Sequence, residues 1–188
     1  MTYESHPLQP FLPSEGRILF LGSFPPPRVR WSMDFFYPNF INDFWRIMGL
    51  LHYGDVQYFV IADEKRFDRE RIIRFCNEQG LGFYDTATRV CRLKDNASDD
   101  HLEIVEPTDI SALLSQMPLC HHIVTTGGKA SEQLQQQLQL SMPRIGEYVE
   151  GKLNERSLRW WRMPSTSRAY PMKLDKKASF YARLFHRE

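Results

Sequence analysis

A chain of 188 residues with 42% hydrophobic and 25% charged side chains has the make-up of a globular protein able to bury its own core, most simply as one domain. No apolar run approaches the roughly 20 residues needed to cross a bilayer, and three cysteines without a close-spaced pair (Cys76, Cys91, Cys120) argue against a disulfide framework or a four-thiolate metal or iron–sulfur site. Net charge is +1, yet ten Lys and Arg face three acids from Lys152 onward, so that segment carries +7 and residues 1–151 carry −6. A basic end on an acidic body suits a phosphate backbone, or equally a solvated helix face.

The opening "MTYESHPLQPFLP" lacks a basic stretch followed by an apolar one, so no signal peptide is expected, and the expected setting is a reducing cytoplasm. "RILFLG" (17–22) reads as a short buried strand bounded by Gly16, Gly22 and prolines. "FINDFWRIMGLL" (40–51) places Phe44, Ile47, Met48 and Leu51 on one helical face. In "DEKRFDRERIIRFCNEQG", Ile72, Phe75 and Cys76 recur at helical spacing and Gly80 is a natural stop. "LGFYDTA" (81–87) suits a strand opening into a loop, and "CRLKDNASDDHLEIVEPTD", without a sustained period, reads as surface loop. Thr108 or Asp109 can cap a helix through "ISALLSQM". "HHIVTTGG" (121–128) is a strand running into a Gly-Gly turn, with a helix on "KASEQLQQQLQL" after it. "RIGEYVEGKL" suits a strand or hairpin and "SLRWWRM" (157–163) a strand. The amphipathic close, "LDKKASFYARLFHRE", has Asp175 as a candidate cap and Ala178, Tyr181, Ala182 and Phe185 as its buried stripe.

Strands alternating with helices imply a parallel sheet, whose functional loops leave the carboxyl ends of the strands. Four loops are thereby nominated: 22–38, 84–90, 126–129 and 164–171. In the first, Pro25, Pro26 and Pro27 make a stiff backbone, and Gly22 permits close approach. Phe35, Phe36 and Tyr37 offer flat faces for stacking a base or a small core of their own. Asn39 and Asn42 precede the next helix, where an Asn commonly caps. In the fourth, Ser165, Thr166 and Ser167 are small donors suited to phosphate oxygens, Arg168 adds charge, and Arg159, Arg162 and Lys173 flank them. "TTGGKA" lacks the spacing of a triphosphate-binding loop. His121 and His122 have no metal-ligand partner at close spacing.

Taken in order, "HPLQPFLPSEGRILFLGSFPP", "FFYPNFINDFWRIMG", "GLGFYDTATRVCR", "IVTTGGKA" and "MPSTSRAYP" resemble the uracil-DNA glycosylase superfamily, and most closely its hypoxanthine-DNA (deoxyinosine) glycosylase-like branch. The resemblance spans nearly the whole chain. It implies a three-layer α/β/α sandwich around a mainly parallel four-stranded sheet, and excision of a deaminated base, uracil or hypoxanthine, from DNA. It also implies a monomer acting on damaged DNA, with no metal, cofactor or membrane. Asn42 falls on the family's Asn three places before the Trp, here Trp45, and is with Ser23 the expected catalytic residue. Gly22, Phe24, Phe36 (or Phe35, one place away) and Thr126 are the expected base pocket. Ser165, Thr166, Ser167, Arg168, Arg162 and Lys173 are the expected DNA contacts.

Three departures accompany the resemblance. Ser23 stands where relatives outside the branch have Asp or Asn, Met163 where the classical uracil enzymes have a catalytic His, and Thr126 where the related strand end commonly has a base-reading Asn. They motivate a second expectation, a non-catalytic module binding a lesion or an abasic site on the same fold. An enzyme of free nucleosides is a third.

Overall fold

The computed structural model describes residues 2–93 and 102–185. In chain order these form β1 (Thr2–Ser5), β2 (Ile18–Gly22), α1 (Phe44–Tyr53), β3 (Val60–Ile61), β4 (Arg66–Phe67), α2 (Arg69–Gln79), β5 (Leu81–Asp85), β6 (Ala87–Arg92), β7 (Leu102–Pro107), α3 (Ile110–Ser115), β8 (His122–Thr126), α4 (Gly128–Leu138), β9 (Glu147–Leu153), β10 (Arg156–Met163) and α5 (Leu174–Phe185). The architecture is α/β, with a central sheet ordered β5-β2-β8-β10-β9.

The central sheet has five strands, not the four expected. β5, β2, β8 and β10 are mutually parallel, and β9 adds an antiparallel edge through its hairpin with β10. Near-continuous apolar runs explain why the parallel strands sit inside. Leu19, Phe20, Leu21, Phe83, Ile123, Val124, Trp160 and Trp161 are all buried, as strands covered on both faces require. Trp160 and Trp161 are both core. Helices pack onto this sheet, α2 on β5, α4 on β8 and α5 on β10, while α1 and α5 pack on one another. β5 would be a bare edge but for the N-terminal arm, where Phe11 exchanges both backbone hydrogen bonds with Phe83.

A second, antiparallel sheet, β1-β6-β7, covers part of the stretch expected to be loop. Cys91 and Arg92 end β6 and Leu102–Pro107 form β7; the remainder of that expectation, 94–101, lies outside the described residues. β1 and β7 have no strong pattern of their own, and their pairing with β6 makes them strands. Helix ends follow local chemistry. Asp68 accepts from the Arg71 N–H and Asp109 from the Ala112 N–H, and Gly80 closes α2 at φ +65°. α5 begins at Leu174, so Asp175 lies in its first turn, and its buried stripe is Lys177, Ala178, Tyr181 and Leu184. No helix among the described residues is long and apolar enough to cross a membrane.

Chain order sends β2 outward to β5 on one side and back to β8 on the other. The carboxyl ends of β2 and β8 thus flank a topological switch point, where open α/β sheets leave a crevice.

Candidate active site

A cavity of about 150 Å³ occupies that crevice. A cavity of ~150 Å³ accepts a guest the size of a benzene ring, so the space suits one planar ring. Its lining comes from every strand end of the parallel set: Gly22 to Pro26 after β2, Asp85 at the end of β5, Thr126 at the end of β8, and Ser165 to Ser167 after β10. Phe36 to Asn39 and Asn42, before α1, close the side, and Leu8 reaches in from the N-terminal arm. Both apolar and polar groups line it, as is common in ligand sites.

The sequence-nominated residues divide. Gly22, Ser23, Phe24, Phe36, Asn42, Thr126, Ser165, Thr166 and Ser167 share the cavity. Phe35 does not line it; it is buried against Phe11, Phe36 and Phe83, which leaves Phe36 as the nearby ring. Arg162 also lies outside the lining, its guanidinium donating to the Pro143 carbonyl at 3.4 Å. Lys173 is exposed ahead of α5 and away from the lining. Arg168 is beside the cleft, but its Nε donates to Asp43 Oδ1 at 3.0 Å. Met163 is wholly buried and does not line the cavity.

Asn42 is held from several directions. Its Oδ1 accepts the Phe44 N–H at 2.9 Å, leaving the amide NH2 as its donor, and Asn39 Oδ1 likewise accepts the Ile41 N–H at 3.2 Å. Buried Arg46 donates from one guanidinium nitrogen to the carbonyls of both Phe40 and Asn42, bracing the turn. Burial lowers the Arg46 pKa, the Arg168 charge adds to this, and Asp43 opposes it.

Asp43, next in sequence, joins two lips of the cleft. Its N–H donates to the Thr166 carbonyl at 3.0 Å, and its buried carboxylate receives Arg168 Nε and, at 2.9 Å, Lys177 Nζ. Lys177 is completely buried and also donates to the Ser167 carbonyl at 2.8 Å. α5 thereby fixes the 164–168 loop against the start of α1.

Tyr37 forms the wall between these lips and the sheet. It adopts φ +52°, rare for a bulky side chain, and is held there by stacking on Phe44 at 4.0 Å and by a 2.7 Å hydrogen bond between its hydroxyl and Thr126 Oγ1. Burial pushes the phenol pKa well up, the bond to Thr126 opposes this, and the Asp85 charge adds to it. The phenol is therefore neutral, and one O–H of the Tyr37–Thr126 pair remains for a guest.

Sequence reasoning offered Tyr37 only as a stacking face and Asp85 only as part of the 84–90 loop, and it missed His6, Asp43 and Lys177 as site residues. Asp85 lines the cavity, and its Oδ2 lies 2.7 Å from His6 Nε2, with both side chains nearly buried. Of the three missed, Lys177 alone carried a signal, a cation at helical spacing on the apolar stripe of Tyr181 and Leu184. A larger, more open groove of about 520 Å³ lies at His121, His122, Glu150 and Arg159, near the amino end of β8, where Arg159 is already paired with Glu150. The described residues contain no group of three or more His, Cys, Asp or Glu that could hold a metal ion.

No family model and no curated protein matches the chain. Its fold is similar to a solved one, the solution NMR structure of "a putative Uracil DNA glycosylase from Methanosarcina acetivorans", with a TM-score of 0.62 and 21% identity over 98% of this chain and 100% of that one. At that identity the likeness is one of fold.

Proposed function

We propose that this chain is a monofunctional DNA glycosylase that hydrolyses the N-glycosidic bond of a flipped-out deaminated base, uracil or hypoxanthine. The reading places it in the uracil-DNA glycosylase superfamily, in its hypoxanthine-DNA glycosylase-like branch, as a three-layer sandwich acting on damaged DNA as a monomer without metal or cofactor. The observation that carries it is the convergence of all four parallel strand ends on one ring-sized cavity holding Asn42, Thr126 and the 165–167 hydroxyls. The fold's likeness to a solved structure so described supports the same reading.

A base inside a duplex is out of reach of such a cavity, so it must be everted, at a cost of a few kcal/mol that is least for a mismatched base. Phe24 and Phe36 present apolar surface to it. Breaking the bond leaves positive charge on the sugar. Asn42, whose oxygen is committed to Phe44, orients a water toward the anomeric carbon by position and needs no shifted pKa. Ser23, Ser165 and the backbone at Gly22 line the same cavity, and as preorganised donors they stabilise the charge that develops on the departing base. Ser167 and Arg168, at the exposed edge, meet the phosphates.

Duplexes with a single uracil, hypoxanthine or xanthine, treated with the protein and then alkali, test this. Strand cleavage at the lesion that disappears in Asn42→Ala is the expected result. Salt-dependent binding without base release would instead make the protein a lesion-binding module. Turnover of free deoxyuridine or deoxyinosine, with no action on DNA, would make it a nucleoside hydrolase.

A further inference from the structure

The His6–Asp85 couple joins an imidazole of the N-terminal arm to a carboxylate at the end of β5, on the wall of the cavity. His6 comes from the N-terminal arm, which β1 pins to β6, and its ring packs against Phe24, Phe36 and Tyr84. The Asp85 backbone is equally fixed: its carbonyl accepts the Thr108 hydroxyl at 2.7 Å, and the next residue donates its N–H to the Gly22 carbonyl. Gly22 lies opposite Asp85 in the β2–β5 register, and a β-carbon there would sit 2.5 Å from Asp85 Oδ1. Glycine is thus what lets the carboxylate occupy its place. While Oδ2 is held by His6, Oδ1 has no hydrogen-bond partner among the described residues.

The imidazole settles which atoms do what. Nδ1 lies 3.1 Å from the Leu8 N–H and 3.0 Å from the Leu8 carbonyl. Nδ1 accepts from that N–H in the neutral ring or donates to that carbonyl in the imidazolium; a neutral ring protonated at Nδ1 alone would set the Nε2 lone pair against the carboxylate at 2.7 Å, so Nε2 carries the proton that faces it. The couple therefore turns a pure acceptor, Oδ1, toward the guest.

Resting on the glycosylase reading above, we infer that Asp85, positioned by His6, reads the ring nitrogen of the everted base and admits bases on which that nitrogen carries a proton. Deamination of cytosine to uracil and of adenine to hypoxanthine replaces an amino group by a carbonyl. In both cases it turns the adjacent ring nitrogen from a lone-pair acceptor into an N–H donor. One acceptor oxygen so placed distinguishes both damaged bases from both parents, across pyrimidine and purine, and leaves a parent base with a lone pair facing a lone pair. Guanine and thymine share the ring N–H, and their Watson–Crick pairing keeps them in the duplex.

The test uses the full chain and identifies by mass the base released from duplexes bearing one uracil, hypoxanthine, mismatched cytosine or mismatched adenine. In Asp85→Asn the proton on His6 Nε2 claims the amide oxygen and turns the NH2 into the cavity, so donor meets donor. Release of uracil and hypoxanthine should fall roughly 10–100-fold, the cost of an unsatisfied buried group, and release of cytosine or adenine should appear. Adding His6→Phe keeps a ring against Phe24, Phe36 and Tyr84 but removes the donor; the amide is then free to turn, and most of the uracil and hypoxanthine release returns. His6→Phe alone, with both carboxylate oxygens still acceptors, lowers the rate and keeps the choice of base. Unchanged rates in Asp85→Asn overturn the inference, as does a changed choice of base in His6→Phe. Loss of all activity in Asp85→Asn without rescue by His6→Phe, in folded proteins, also overturns it and moves Asp85 into the chemistry. An inactive wild-type protein overturns the glycosylase reading itself, and this one with it.

Discussion

Lys177→Met probes whether a buried ion pair holds the cleft together. The Lys177 side chain has 0% exposure, and its ammonium serves two acceptors, Asp43 Oδ2 and the Ser167 carbonyl. Methionine fills the space of the stem and supplies neither bond. Asp43, at 6% exposure, is then left with Arg168 alone, and that guanidinium is 52% exposed, so solvent screens it. Removing one partner of a buried pair costs about 3–5 kcal/mol, a fall in Tm of roughly 6–20 °C for a chain of this length. The penalty comes mostly from the stranded charge rather than from lost attraction. Asp43→Leu combined with Lys177→Met should therefore recover at least ~2 kcal/mol, the orphaned Ser167 carbonyl keeping about 1 kcal/mol of the loss. Guanidinium melts of the wild type, the single and the double variant measure all three. A single variant costing under ~1 kcal/mol, or a double variant no better than the single, would refute the reasoning.

Four further outcomes are expected. Asn42→Ala should lower kcat for base release by about 10²-fold or more while costing about 1 kcal/mol of stability through its lost bond to the Phe44 N–H; rate and melt measured on one preparation separate the two. Gly22→Ala places a methyl 2.5 Å from Asp85 Oδ1 and 3.8 Å from the Tyr37 hydroxyl, so base release should fall even where the melt shows a folded protein. Arg168→Ala should weaken DNA binding about equally for all lesions and make the slope of log K against log salt shallower by about 1; an unchanged slope removes Arg168 from the interface. All three cysteines are buried, and burial pushes the Cys120 thiol from 9.0 up to about 11. A raised folded pKa stabilises fully below pH 9 and is lost as pH rises toward 11, so native protein should resist a thiol reagent at pH 8 and lose stability between pH 9 and 11; rapid labelling at pH 8 in the native state is the contrary result.

The parts of the fold that were legible are those set by local rules. α2 could be read because Asp68, the 72–75–76 spacing and Gly80 agree, and β2, β5, β8 and β10 because apolar runs end in turn residues. β1 depends on a partner remote in sequence, whereas the fifth strand of the central sheet pairs with its hairpin neighbour β10, within the stretch expected to be a strand or hairpin. "LEIVEP" is a strand through its pairing with β6, and nothing within it announces that. The same distinction runs through the site. The loops after the four parallel strands were predictable from topology, so Gly22, Thr126 and Ser165 were found. His6 and Asp85 are 79 residues apart, and Asp43 and Lys177 are 134 apart. Neither pair has a spacing signature, because each exists only once the sheet has closed.

Charge shows the limit most plainly. The +7 of residues 152–188 suggested a surface that follows phosphates. In the folded chain Arg156 donates to the Leu114 and Met117 carbonyls, Arg162 to that of Pro143, and Arg159 and Arg183 pair with Glu150 and Glu147 of β9. Lys177 is buried on Asp43, and Arg168 shares that carboxylate. Most of the basic segment is thus committed to holding β10, β9, α3 and α5 together, and its sequence charge overstates the field that DNA would meet. Arg168 differs from the others in position. It lies at the cleft, half exposed, on a carboxylate that Lys177 continues to neutralise if Arg168 swings away. A phosphate arriving there competes for a guanidinium whose departure leaves no unpaired buried charge, which is why salt dependence should trace to Arg168 rather than to Arg162, the nearer cation in sequence to the strand end.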